Sequence, residues 1–203
     1  MQTALKTVPT SARGSVRTLT ARELPLFREH MLRLDRDSRR DRFNGSLDDN
    51  FLARYAMQCV SDGTIIIAYF EDGVVRGAAE LHQPDLSPGS LPEIAFSVES
   101  CVRRQGVGSI LFTRLIEKAG SLGYESLRIT TGAQNDAMRA LANKFGARLS
   151  FRHGESTGTI DLKQTPAVAA SAASPLDITR ALVDYNRACW GLVLKMYGLG
   201  KAS

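Results

Sequence analysis

Apolar and polar positions change period several times along this chain, and each change predicts an element. Residues 16–19, VRTL, read as a short strand. Thr20 and Glu23 then form a capping-box pair ahead of LPLFREHMLRL, whose apolar residues share one side of a helix. Pro25 falls near its first turn, where the missing N–H costs least. DDNFLARYAM, 48–57, predicts a second short helix. In GTIIIAYFEDGVVRGAAELH, Asp72-Gly73 separates two β-branched apolar runs, a strong hairpin signal. Residues 83–92 hold three prolines and a glycine and read as loop. EIAFSV, 93–98, is a strand, and a helix follows from about Ser109 to Leu122, with Leu111, Leu115 and Leu122 on one face and Gly123 ending it. SLRITT, 126–131, is a strand. A helix runs from Asn135 to Phe145 and closes at Gly146, and ARLSF and GTIDL read as two last strands.

Both ends differ in character. Residues 1–14 read as a disordered tail without the apolar centre of a secretory signal. Residues 164–174 are rich in Ala, Pro and Ser and read as a linker. Ser174 and Pro175 then start a helix over 175–203. Ile178, Leu182, Tyr185, Cys189, Leu192 and Met196 recur there at alternating spacings of four and three, one apolar stripe. It suits packing on its own domain, a partner helix in a homodimer, or a membrane surface. Asp184, Arg187 and Lys195 exclude a membrane span. The folded unit expected between the ends, 15–163, is one α/β (α+β) domain.

Composition narrows the classes. The 203 residues suffice for one good-sized core. No stretch approaches the ~20 apolar residues that span a bilayer. Cys59, Cys101 and Cys189 are far apart and odd in number, so neither a disulfide framework nor a zinc or other metal site is suggested. A reduced, cytoplasmic compartment is the expectation. The net charge of +5 is compatible with nucleic acid, anionic lipid or a phosphate-rich ligand. No aromatic residues are interleaved with the basic ones, which argues against a single-strand binder. Residues 33–42 carry five arginines and three aspartates. They read as a solvated, salt-bridged segment, or as a docking surface for an acidic partner.

The densest chemical signal is CVRRQGVGSILF, 101–112. Strand, glycine loop and helix start in that order leave several backbone N–H groups free at a helix N-terminus, where the dipole adds positive potential. Such a site suits phosphate oxygens. Glycine serves there if a Cβ would block approach or if φ is positive. A Walker loop is absent, and Leu111 stands where a dinucleotide fingerprint has its third glycine. A tight turn before a helix would produce the same two glycines.

The flanks carry a resemblance. Arg103-x-x-Gly106-x-Gly108, after a strand and before an apolar helix, resembles the acetyl-CoA pyrophosphate loop of the GNAT N-acetyltransferase superfamily. NDAMRALANKFGA resembles the family's second cofactor motif, and the order of elements over 16–163 matches. LPEIAFSV, LDRDSRRDRF and NDAMRALANKFGA are similar to parts of bacterial Pat-type protein lysine acetyltransferases. The resemblance implies a mixed, mostly antiparallel twisted sheet flanked by helices, and acetyl transfer from acetyl-CoA to a primary amine. The acceptor would be a protein lysine, or a small amine.

It also implies roles. The main chain of Phe96, Ser97 and Val98 would meet the pantetheine arm and could stabilise an oxyanion. Arg103, Arg104, Gln105, Gly106, Val107, Gly108 and Ser109 would hold the pyrophosphate. Asn135 would bond the pantetheine with Met138 beside it, although a helix N-cap explains Asn135 equally. Glu93 would be the general base, its apolar neighbours Leu91, Ile94 and Phe96 suggesting burial that raises its pKa. His82 comes second, and His30 and His153 are further histidines. Many family members have a tyrosine seven residues after the asparagine that protonates the leaving thiolate; here that position is Ala142. A thiol pKa near 8.5 makes the thiolate a tolerable leaving group without one. The rival readings are a non-catalytic acyl-CoA sensor and a nucleic-acid-associated protein using the 33–42 arginines, which the interleaved aspartates weaken.

Overall fold

The computed structural model describes residues 14–152 and 154–164. The predicted tail, linker and C-terminal helix therefore lie outside the described residues, apart from their inner edges, as does His153. The elements in chain order are β1 (Ser15–Thr18), α1 (Leu24–Arg33), α2 (Arg36–Phe43), α3 (Asp49–Ser61), β2 (Ile65–Glu71), β3 (Val74–His82), β4 (Glu93–Val98), α4 (Val107–Ser121), β5 (Ser126–Gly132), α5 (Asp136–Lys144), β6 (Arg148–Arg152) and β7 (Glu155–Asp161). The strands form one seven-stranded sheet in the order β1-β2-β3-β4-β5-β7-β6. Among the described residues, no helix is long and apolar enough to cross a membrane.

Local chemistry sets these boundaries. Thr20 donates from both its backbone N–H and Oγ1 to Glu23 Oε2, at 3.0 and 2.9 Å, which fixes the entry into α1. Asp72 and Gly73 have φ of 51° and 76°. Two positive values in a two-residue loop make the type I′ turn whose twist matches the strands it joins. The turn sets the register of β2 on β3, Glu71 opposite Val74, with a bulge at Tyr69/Phe70.

All neighbouring strands are antiparallel except β4 and β5. These two run parallel and pair only at Glu93↔Arg128 and Ile94↔Ile129. From Ala95 to Val98, β4 stays paired with β3 but has left β5. The strands thus form a wedge with its apex at Ile94/Ile129, open toward their C-terminal ends. Backbone polar groups on the open side of β4 need partners from elsewhere.

Apolar residues cover both sheet faces. On one, Leu111, Phe112, Leu115 and Ile116 of α4 pack on Ile94, Leu127, Ile129 and Ile160. Phe112 stacks between Phe96 and Phe145, at centroid distances of 4.9 and 4.2 Å. Full burial of a side chain such as Phe112 contributes about 1.5–3 kcal/mol, and this stack joins the strand, the long helix and the end of α5. On the other face, Phe27 and Met31 of α1 and Leu52, Ala56 and Cys59 of α3 pack on Ile66 and Ala78. Leu122 corrects the predicted stripe. It sits just past the end of α4 and is 45% exposed, because the helix stops at Ser121 before bringing it round.

Candidate active site

The β4 side of the wedge opens into a cleft of about 440 Å³. Its walls include β4 through Phe96, Ser97 and Val98, the loop and first turn of α4 through Arg103, Arg104, Gly106, Val107, Gly108 and Ser109, and α5 through Asn135 and Met138. Gln105 and the candidate bases Glu93, His82 and His30 are not on those walls. Gln105 turns back and donates from Nε2 to the Cys101 carbonyl at 3.0 Å. Glu93 lies at the wedge apex.

The loop's shape follows from two left-handed residues, Arg104 at φ 58° and Gly106 at φ 85°. A Cβ on Gly106 would meet nothing within 4 Å, so this glycine is required by its φ rather than by crowding. A Cβ on Gly108 would only touch Leu141 Cδ2, at 3.4 Å. Val107, 1% exposed, anchors the start of α4 in the core. The helix's first N–H groups and its positive dipole end are thereby presented at the cleft. Arg103 donates from Nε to the Val98 carbonyl at 3.1 Å and from Nη2 to Ser38 Oγ at 2.5 Å. Asn135 is the N-cap of α5, with Oδ1 accepting from Met138 N–H at 2.9 Å. Its Nδ2 also donates to the Asp41 carbonyl at 3.3 Å. Lys144 Nζ reaches Ser109 Oγ at 3.0 Å.

This arrangement of wedge, helix start and capped second helix can hold an anionic head and an extended polar arm. The acetyltransferase (GNAT) family is the one whose sequence model matches, over residues 28–147, more than half of the chain. The chain belongs to the GNAT acetyltransferase family. No curated protein matches it. Among solved structures, the GNAT domain of S. lividans PAT is 18% identical, with 73% of this chain and 90% of that one covered at a TM-score of 0.62. The putative acetyltransferase yncA from Salmonella typhimurium, solved with acetyl-CoA, is 16% identical over 81% and 98% at 0.57. The phosphinothricin acetyltransferase from Sinorhizobium meliloti, also in complex with acetyl-CoA, is 18% identical over 74% and 89% at 0.57. At these identities the likeness is one of GNAT fold.

The arginine-rich segment corrects the picture of a solvated run. It is helix α2, capped by Asp35, whose Oδ1 accepts from Ser38 N–H and Oγ, both at 2.7 Å. α2 lies across the GNAT wedge, and Ser38, Asp41 and Arg42 line the cleft. Only part of the helix is solvated, as in the exposed Arg40–Asp37 pair. Arg39 donates to the Leu32 and Leu34 carbonyls at 2.7 and 2.9 Å. The Arg42 side chain is 13% exposed and grips fully buried Glu80, with Nη2–Oε2 at 3.0 Å and Nε–Oε1 at 3.3 Å. Tyr55 Oη donates to Glu80 Oε2 at 2.5 Å and accepts from Arg42 Nη2 at 2.7 Å.

Register puts the polar residues of β3 and β4 on this same face, away from α4. His82 is opposite Glu93, Glu80 opposite Ala95, and Ala78 opposite Ser97. Glu93 is not enclosed as its apolar neighbours suggested. Successive strand residues point to opposite faces, so Ile94 is buried while Glu93, its side chain 36% exposed, pairs with Arg128 at 3.4 Å. His82 is half-buried, with Thr64 Oγ1 at 3.2 Å from Nδ1 and Tyr55 Oη at 3.4 Å from Nε2. His30 is fully buried between Ser97 and Glu99. Ala142 is fully buried in the α4-side core.

Two buried carboxylates carry shifted pKa values. Burial pushes Glu80 up, but the Arg42 charge, the hydrogen bond and charge of His82 and the hydrogen bond of Tyr55 win, leaving it at about 2. Burial also pushes Glu99 up, and hydrogen bonds from His30 and Arg76 with the Arg33 charge bring it to about 2. The ordinary value is 4.5. Between these values the unfolded chain binds more protons than the folded one, so stability rises with pH across that window. The contribution is complete above the ordinary value and is lost as pH falls toward 2. Urea unfolding across pH 2–6 is expected to give a midpoint flat at the upper end and falling steeply in this window; a midpoint unchanged there would contradict the assignment.

Proposed function

We propose that this GNAT protein binds acetyl-CoA in the β4–β5 wedge and transfers its acetyl group directly to a primary amine, most fittingly a protein lysine. The observation that carries the reading is the meeting, in one cleft, of the glycine loop, the unpaired edge of β4 and the N-cap of α5. Each wall fits part of that molecule. The α4 N-terminus with Arg103 and Arg104 suits the pyrophosphate. On the side of β4 that no longer pairs with β5, the backbone groups of Phe96 and the N–H of Val98, flanking Ser97, suit the amide arm and then the oxyanion of the transfer step. Met138 and Leu141 give the arm apolar contact.

When bound, acetyl-CoA supplies an activated acyl group on a good leaving thiol. The chain must deprotonate the incoming ammonium, whose ordinary pKa of about 10.4 leaves it charged at neutral pH. Glu93 fits this role through its place at the wedge apex, on the sheet face opposite α4, with His82 across from it. The lysine acceptor is supported by the Pat-like segments around 34–43, 91–98 and 135–147 and by the S. lividans PAT domain among the structural neighbours. The test is incubation of the full chain with acetyl-CoA and three acceptor sets: lysine-bearing peptides blocked at their N-termini, lysine-free peptides with free N-termini, and polyamines. Acetylation concentrated on lysine Nζ is the expected result. Transfer to polyamines alone would replace the protein acceptor with a small amine, and no transfer to any amine would overturn the enzymatic reading.

A further inference from the structure

Amine transfer with Glu93 as base leaves one constellation unused. Ser97, His30 and Glu99 are 6%, 0% and 6% exposed; Ser97 is in β4, Glu99 just follows it, and His30 comes from α1. Ser97 Oγ is 2.9 Å from His30 Nε2, and His30 Nδ1 is 3.0 Å from Glu99 Oε1. An ionised carboxylate only accepts hydrogen bonds, so Nδ1 carries a hydrogen, and in the neutral ring Nε2 is then the acceptor for the Ser97 hydroxyl. Arg33 Nε donates to that same Oε1 at 3.0 Å, and Arg76 Nη1 donates to Oε2 at 2.8 Å, so Glu99 is held at both oxygens. This is the nucleophile–base–orienter chain of a serine hydrolase, in role and in distance. It is also placed at a reactive position. Ser97 lines the cleft, on the part of β4 whose N–H groups have lost β5 and can bind an oxyanion.

We propose that Ser97, His30 and Glu99 form a nucleophilic triad that gives this cleft a second activity, cleavage of an acyl thioester through an acetyl-Ser97 ester. The inference rests on the reading that the thioester of acetyl-CoA lies along β4. His30 Nε2 takes the Ser97 proton as Oγ bonds to the carbonyl carbon. The C–S bond then breaks, and His30 returns the proton to the departing sulfur, releasing a thiol. In the second half His30 deprotonates a water that attacks the ester. The C–Oγ bond breaks, Ser97 recovers its proton and acetate leaves. The sum is thioester plus water giving thiol plus acetic acid, with no change of oxidation state. Glu99 is a positioning residue, acting through the imidazole.

The experiment uses the full chain without any amine. Acetyl-CoA binding is followed by calorimetry, thiol release by a colorimetric reagent, and p-nitrophenyl acetate serves as a second probe. The expected result is release of thiol and nitrophenolate, with one acetyl group mapped to the peptide containing Ser97. Ser97→Ala should lower both rates about a hundredfold or more. Glu99→Gln should lower the rate of adduct formation at saturating ester, a readout that loss of packing alone would not move in a chain whose melting transition is intact. The mapped adduct on the unsubstituted chain needs no variant. Binding of acetyl-CoA without thiol release, or an acetyl group on another residue, overturns the triad and leaves the transferase reading standing. Absence of binding overturns both.

Discussion

Glu80→Ala is expected to remove about 3–5 kcal/mol of folding stability, because it leaves the Arg42 guanidinium buried without its counter-charge. The carboxylate is fully buried and holds Arg42 by two contacts and Tyr55 by a third. Domains of this size are stable by about 5–15 kcal/mol, so the loss is a large share of the total. It reaches the site as well, since Arg42 lines the cleft and ties α2 to β3. Replacing Arg42 and Glu80 together by apolar residues of similar volume should cost far less, because no charge is then left alone in the interior. Urea unfolding of the two variants beside the unsubstituted chain measures both effects. A loss below about 1 kcal/mol for Glu80→Ala would mean that water reaches the pair.

The second large effect is kinetic. Glu93→Gln is expected to lower kcat for amine acetylation about 10²–10⁴-fold, the usual worth of a general base. The KM for acetyl-CoA should stay nearly constant, since Glu93 is outside the cleft walls. The variant keeps the size of the side chain and can still accept from Arg128, now at 3.4 Å from the carboxylate. His82 gives the internal comparison. If His82→Gln produced the kinetic loss and Glu93→Gln did not, the base would be the imidazole across the strand pair.

Most of the scaffold was legible in the sequence because its signals are local. Asp72-Gly73 needs only its own two dihedrals to specify the hairpin. EIAFSV ends at the very residue where strand β4 ends, since Glu99 and Ser100 begin a turn. The loop at 103–108 was readable as a helix start because Gly106 and the apolar run after it are adjacent in the chain. The rest depends on partners far away in sequence. Nothing within 33–42 tells that Arg42 is buried; its counter-charge, Glu80, is 38 residues on. The same distance hides the bond from Ser38 to Arg103, 65 residues later, which brings α2 over the cleft. His30 looked like one histidine among several until packing set it between Ser97 and Glu99, 67 and 69 residues away. Glu93 misled in another way. Apolar neighbours in sequence suggested burial, but within the strand Ile94 and Phe96 occupy the opposite face.

Calorimetric titration of the full chain with acetyl-CoA, beside desulfo-CoA and NAD, decides whether the cleft holds this ligand. The wedge and glycine loop predict saturable binding of acetyl-CoA and desulfo-CoA at one site, in the micromolar to sub-millimolar range typical of enzyme substrates. NAD shares the pyrophosphate but lacks the pantetheine arm that the open edge of β4 would pair, so it should give no saturable heat. No binding of acetyl-CoA at millimolar concentration would contradict the account, leaving a GNAT fold whose cleft does not hold this substrate.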